Sequence, residues 1–344
     1  MSAPRTTFIA LLLLGVLVFS AVGAFAHSPL FPAENHSIAS ATFVERPAKS
    51  FAIYHELEAQ QAAYYEFRMS SGERIYLQTL TPAPPIDGFV PGLALLLPNT
   101  DDRQPLPSFI EVPSGYGSLV AQGDENAEGE LEPFSPGPIF MTSEIDVVAP
   151  VNGTYYAVVF SGQAGGSYAL ALGYLEEFTL LEIFFLPLSL LTIYQWEGQD
   201  LASVLMPYAV VFVVGIIVSL YWRRKTGRPN TAAKWLAVIS GLAFLGSTSN
   251  ILAQLGFSFT RVPLTSSVVV SLIFAFAYLV LGLLAMRFAL KSGMDASRGT
   301  RALFLVIGIV GLMMWGGIYL GPILALVIAL APPYRRKGAR ATPA

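Results

Sequence analysis

The chain contains no cysteine. That excludes disulfide staples, a thiolate metal site and a cysteine nucleophile, so an exported domain must be held by its apolar core alone. Histidine is almost as scarce, with three in 344 residues: His27, His36 and His55. Charged side chains make up 12% of the chain against 54% hydrophobic ones, a balance that excludes an ordinary soluble protein. Acidic residues nearly vanish from the second half. Beyond Asp200 only Asp295 remains, against 14 Lys and Arg, whereas residues 27–200 hold 22 acids and five bases, Arg46, Lys49, Arg68, Arg74 and Arg103. Lys and Arg are retained on the cytoplasmic side during insertion, while long domains translocate regardless of charge. The distribution therefore predicts an acidic domain outside the cell membrane, a multi-pass apolar bundle within it and basic loops in the cytoplasm. It gives no reason to expect nucleic acid as a partner.

At the start, Arg5 precedes an apolar run over 8–22 that ends in Ala24-Phe25-Ala26. A basic residue, a short apolar core and an A-x-A end read as a signal peptide over 1–26, cleaved before His27; the alternative is an uncleaved anchor. The sequons Asn35-His36-Ser37 and Asn152-Gly153-Thr154 both fall on the expected outside, making Asn35 and Asn152 candidate glycosylation sites.

Residues 27–176 alternate short apolar runs with turn formers. The runs include Tyr64-Tyr65-Glu66-Phe67-Arg68-Met69, Arg74-Ile75-Tyr76-Leu77-Gln78-Thr79-Leu80 and Leu93-Ala94-Leu95-Leu96-Leu97. Three more follow: Glu144-Ile145-Asp146-Val147-Val148, Tyr155-Tyr156-Ala157-Val158-Val159-Phe160 and Tyr168-Ala169-Leu170-Ala171-Leu172. Each has strand length and is rich in aromatic and β-branched residues. Ser70-Ser71-Gly72-Glu73 suits a hairpin between the first two runs, and the stretch 161–166 suits one between the last two. The spacing predicts an all-β antiparallel sandwich. Tyr64-Tyr65-Glu66-Phe67 with Gly72-Glu73-Arg74-Ile75, then Gly153-Thr154-Tyr155-Tyr156 with Gly166-Ser167-Tyr168-Ala169-Leu170, resembles the jelly-roll domains known as bacterial pre-peptidase C-terminal domains. The resemblance covers roughly 110 residues and implies a fold, not an activity. It fails over 98–138, which is long, Pro-rich and acidic.

That middle stretch carries Asp101, Asp102, Asp124, Glu125, Glu128, Glu130 and Glu132. Converging carboxylates would bind calcium, whereas a Gly- and Pro-punctuated acidic loop without a D-x-D-x-D-G pattern reads as solvated. Copper is the other candidate metal. After cleavage, the α-amino group and ring of His27 would chelate Cu(II), with His36 or His55 completing the nitrogen set. His27-Ser28-Pro29-Leu30-Phe31-Pro32-Ala33 resembles the opening of periplasmic copper carriers, some of which are fused to membrane bundles; this implies the same ligand role for His27.

Residues 177–200 form an apolar segment interrupted by Glu182 and Pro187. A charge there disfavours a span, so the segment reads either as lying in the outer interface or as a linker packed against the sandwich. The transmembrane bundle is expected over 201–334. Spans are placed at 201–222, stopped by Arg223-Arg224-Lys225, at 232–257 and at 264–290. The run 302–331 has basic residues on both sides and is too long for one upright span, so it reads as a hairpin turning near Gly316-Gly317 or as a single tilted helix. Gly317-Ile318-Tyr319-Leu320-Gly321 is a GxxxG that permits close helix contact. Residues 335–344 would be a basic cytoplasmic tail. None of the spans contains His, Asp or Glu, so the polar group Ser247-Thr248-Ser249-Asn250 with Gln254 reads as interhelical hydrogen bonding. The order of parts, including Glu177-Phe178-Thr179-Leu180-Leu181-Glu182 and Trp196-Glu197-Gly198-Gln199, resembles uncharacterised membrane proteins of archaea and other microbes, a likeness that implies no activity.

Together these features predict a membrane-anchored, non-enzymatic binding or scaffold protein of the cell envelope. Its partners would be the lipid bilayer and an envelope polymer or a membrane protein. A copper-binding protein and an accessory subunit of a larger membrane complex are the alternatives.

Overall fold

The computed structural model describes residues 27–82, 84, 89–227, 231–290 and 297–331. The expected signal peptide and the basic tail lie outside the described residues. The chain divides into a β-rich unit, Ala21–Leu205 with Ile251–Leu272, and a helical unit built from Met206–Asn250 and the chain from Ile273 onward.

Eleven strands form two mixed sheets: β1 (Ser28–Leu30), β2 (Thr42–Val44), β3 (Phe51–Leu57), β4 (Ala62–Met69), β5 (Arg74–Thr81), β6 (Gly92–Pro98), β7 (Tyr116–Ala121), β8 (Gly129–Glu132), β9 (Gly137–Val148), β10 (Gly153–Phe160) and β11 (Gly166–Leu172). The six-stranded sheet runs β1-β3-β11-β5-β9-β8 and the five-stranded sheet β2-β4-β10-β6-β7. β1 pairs in parallel with β3 and β2 with β4, while the other pairs are antiparallel. Alternation along the strands sends one row of side chains into a common core. Ile53, Leu77, Ile145 and Leu170 of the first sheet bury with Phe67, Leu93, Leu95 and Val159 of the second. At the centre the hydroxyls of Tyr65 and Tyr168 meet at 2.6 Å, both residues fully enclosed. Burial pushes the Tyr65 phenol up to about 12 and raises that of Tyr168 well above its ordinary value, so both stay protonated.

The two predicted hairpins are not hairpins. β4 and β5 lie in different sheets, as do β10 and β11, so each short connection arches across the core. The turn between β4 and β5 bonds instead to the chain after β9, with Gly72 N donating to Ala149 O at 2.9 Å and Ala149 N to Glu73 O at 2.8 Å. Strands that bury the same alternate face from opposite sides of one core carry the same pattern as a hairpin, which is why the pattern does not separate the two cases. The middle stretch also holds more order than a solvated loop. It contains β7 and β8, and Leu106, Ile110 and Val112 cover the second face of the five-stranded sheet over Tyr64, Ala94, Leu96 and Val158.

Among the described residues six α-helices follow: α1 (Leu180–Trp196), α2 (Leu201–Thr226), α3 (Ala232–Ser258), α4 (Val268–Leu290), α5 (Arg298–Met313) and α6 (Leu320–Leu330). Three of them, α2, α3 and α4, are long and apolar enough to cross a membrane. The segment 177–200 is mostly helix. Thr179 and Glu182 form a capping box that starts α1, and Trp196 at its end covers Leu80, Ala169 and Ala171, with its indole N–H on Tyr168 O at 3.0 Å. The run 302–331 is broken, as a hairpin requires. Trp315, Gly317, Ile318 and Tyr319 all have positive φ, and Arg301 Nε reaches Ala329 O at 2.7 Å, so the ends of the two arms lie together. Gly311, Gly316 and Gly321 press on the fully buried Phe244 so closely that an added Cβ would stand 2.5, 2.3 and 3.1 Å from its ring.

The Tyr65–Tyr168 contact generates a stability prediction. Replacing Tyr168 by Phe strands the Tyr65 hydroxyl in the core and should cost about 1–3 kcal/mol in chemical denaturation of the detergent-solubilised chain. The Tyr65→Phe, Tyr168→Phe double variant removes both groups, and its loss should be smaller than the sum of the two single losses.

Candidate functional site

The most unusual chemistry in the β-rich unit gathers around the tight connection between β8 and β9. Its sequence, Glu132-Pro133-Phe134-Ser135-Pro136-Gly137, has two prolines without N–H groups, so it carries more carbonyls than donors. Glu132 pairs with Gly137 across the connection. The Glu132 carboxylate shapes the turn by accepting from Phe134 N at 3.2 Å, Ser135 N at 2.5 Å and Ser135 Oγ at 2.5 Å.

The carbonyls find their donors on helix ends of the same unit. Ser258, the last residue of α3, donates to Pro136 O at 2.8 Å. Ser271, in the first turn of α4, donates to Pro133 O at 2.6 Å, and Ser267 just before it donates to Leu131 O at 3.2 Å. Leu131 and Phe140 pack with Leu255 and Val262 beside these bonds. Three hydroxyls and an apolar patch thus clasp one turn.

Against the other side of the turn lies Glu197, which caps the C-terminus of α1. It is 6% exposed, and its Oε1 would stand 2.0 Å from a Cβ on Gly137, so only glycine admits the carboxyl there. Gln199 Nε2 donates to Glu197 Oε2 at 2.9 Å and to Gln254 Oε1 of α3 at 2.7 Å, tying the acid to the helix end. Burial pushes Glu197 up to about 8; the Gln199 bond opposes this, the charge of Glu132 adds to it, and Arg261 pulls it down. Burial also raises Glu132, opposed by its bonds to Ser135 and Phe134. The Tyr54 phenol, whose ring meets that of Trp196 at 5.0 Å, is raised too, by burial first and then by the charges of both acids. Arg261, the nearby cation, is exposed and stacks at 3.6 Å on the ring of Phe257. The arrangement keeps a proton near neutral pH and has two carboxyl groups close enough to feel each other.

The residues singled out from sequence are placed differently. His36 and His55 come together, their rings 5.7 Å apart, with His55 stacked on Tyr168. His27 bonds Ser50, whereas His55 lies five residues farther along β3, about 17 Å at strand rise. The three imidazoles are therefore not one ligand set; burial lowers the pKa of His27. Asp101, Asp102, Asp124, Glu125, Glu128 and Glu130 are exposed, and no group of three or more His, Cys, Asp or Glu able to hold a metal occurs among the described residues. Asn35 is fully enclosed, its amide donating to Tyr64 O at 3.0 Å and Thr42 Oγ1 at 3.2 Å. Asn152 is exposed and accepts from Ser71 N at 2.6 Å.

Nothing in the spacing of Glu132 and Glu197, 65 positions apart, brings them together; only the prolines and glycine around the first mark a tight turn. The start of α1 went unread in the sequence, although the Thr179-x-x-Glu182 capping box is a signal that could have found it. Comparison with protein-family models gives no match, and comparison with curated proteins gives none.

The pH dependence of stability follows from Glu197. Its carboxyl is raised from 4.5 to about 8, so the folded chain holds a proton that the unfolded chain releases between those values. Stability therefore falls as pH rises through that window, by on the order of a few kcal/mol. Glu197→Gln should flatten this fall: the variant should melt above the wild type at alkaline pH and close to it in acid, as read by thermal denaturation across the range.

Proposed function

We propose that the chain is a membrane-anchored binding or scaffold protein of the cell envelope, with its β-rich unit as a jelly-roll-like sandwich displayed outside the lipid. The observation that carries this reading is the clasp of the β8–β9 turn by Ser258, Ser267 and Ser271. These hydroxyls sit where α3 ends and α4 begins, on two helices long enough to span. A turn clasped by helix ends of its own unit suits a sandwich displayed at those ends. Charge supports the same orientation, since the bases cluster at the end of α2, from the end of α4 into α5 and beyond α6, while every acid but Asp295 precedes α2. Binding is favoured over catalysis because Glu132 and Glu197 are engaged with the turn and the exposed acids are scattered.

A copper-binding role is the second reading. It now rests on His36 with His55, whose rings are adjacent, and not on His27. Cu(II) titration of the full chain against a His55→Ala variant separates the two readings; equal binding by both ends it.

The absence of cysteine makes the orientation directly testable. Single-cysteine variants Asn152→Cys and Lys225→Cys, treated in intact cells with a membrane-impermeant maleimide, should label at position 152 at once. Position 225 should label only after permeabilisation. The reverse pattern would overturn the reading.

A further inference from the structure

The acid pair has a role that neither display nor binding requires. Glu132 and Glu197 grip the same six-residue turn from its two ends. Glu132 organises it through three hydrogen bonds, and Glu197 presses on Gly137. Glu197 is in turn joined through Gln199 to Gln254, one turn before Ser258, which holds Pro136. The two carboxyls, the turn and the helix ends are therefore linked by hydrogen bonds and close contacts.

We propose that Glu132 and Glu197 form a proton-operated latch, which keeps the β8–β9 turn seated on the ends of α3 and α4 while the pair retains a proton and loosens it when that proton is lost.

The groups facing Glu197 leave little else to balance its charge. From β3 comes Tyr54, neutral because both burial and the acids hold its proton on. From β8 comes Glu132, and from β9 only Gly137. From the end of α3 comes the neutral amide of Gln254, and from the chain joining α3 to α4 comes Arg261, whose guanidinium is exposed and stacked on Phe257. While Glu197 is a carboxylic acid it can sit dry against Gly137. When its O–H ionises, the proton goes to water and the site holds two like charges with one screened cation beside them. Such pairs separate or recapture a proton. Relief by separation moves the Glu197 carboxylate off Gly137 and takes Gln199, hence Gln254, with it. The donors to Leu131, Pro133 and Pro136 then lose their alignment, and the turn is freed. The latch is a property of the β-rich unit and holds whether or not the sandwich binds any ligand.

Hydrogen exchange on the full chain in lipid nanodiscs tests it, read at the Phe134 and Ser135 amides that Glu132 holds. After correction for intrinsic rates, wild-type protection there should drop about tenfold between about pH 6 and about pH 9. In Glu197→Gln it should stay constant, while amides in the core strand β10 stay protected in both. Unchanged wild-type protection across the range, or a loss shared by Glu197→Gln, overturns the proposal. Should the variant fail to fold, infrared titration of the wild type decides: a protonated-carboxyl stretch that disappears above neutral pH supports the latch. Its absence at neutral pH overturns it.

Discussion

Backbone carbonyls that leave a sheet have to find donors, and a turn with two prolines cannot supply enough of its own. That shortage at Leu131, Pro133 and Pro136 is what the base of the β-rich unit is built around. An unsatisfied buried carbonyl costs about 1–3 kcal/mol, so three of them would outweigh the apolar contact of Leu131 and Phe140 with the helix ends. A serine at a helix terminus is suited to the task. Its short side chain can reach away from the helix where a longer residue would overshoot, and it does not interrupt the apolar surface around it. The same constraint explains why glycine stands at 137. The ladder from β8 to β9 closes there, and the carboxyl of Glu197 occupies the volume of the missing side chain.

α1 is held at both ends by different physics. At its N-terminus Lys49, 4% exposed, is paired with Glu182, which also completes the capping box with Thr179. The pair is partly shielded from water, so each partner is needed by the other; Arg46–Glu177 and Arg74–Asp146 are exposed and contribute little. At its C-terminus the anchor is neutral: the Trp196 indole against Tyr54, Ala169 and Ala171, then the protonated carboxyl of Glu197. An ionic attachment at one end is insensitive to pH near neutrality. The attachment at the other end is not, and it is the one next to the turn.

Much of this was legible in the residues, and the gaps have physical causes. The runs at 64–69, 74–80, 93–97, 155–160 and 168–172 lie within β4, β5, β6, β10 and β11, because strand-length apolar runs bounded by turn formers bury in the sheets there. The three long helices begin and end close to the positions that length and flanking charge predict, apart from α4, which starts at Val268, after Pro263 and the Thr265–Ser267 turn. Sheet membership was not legible, since alternation says which face is buried and not which sheet buries it. β1 and β2, three residues each, are too short to carry a period at all. The acid pair escaped because its partners meet only through the tertiary fold. Glu132 looked like one more exposed carboxylate in an acidic stretch, and Glu197 like a charge that merely ended an apolar run.

The polar residues of α3 then take on a common meaning. In helices as apolar as these, hydroxyls and amides without ionisable neighbours read from sequence as contacts between side chains of adjacent helices. Several of them instead serve backbone that has left helical geometry. Ser247 accepts from Gly317 N at 2.7 Å at the break between α5 and α6, where Tyr278 also reaches Met314 O, and Ser240 donates to Gly321 O at 2.7 Å in the first turn of α6. Ser258 does the same for the β8–β9 turn. Irregular backbone next to apolar surface persists only where something pairs its N–H and C=O groups. Each of these serines sits beside a segment that proline or positive φ has forced out of regular structure. Gln254 differs from these serines: it is engaged with Gln199, and through it with the buried carboxyl of Glu197.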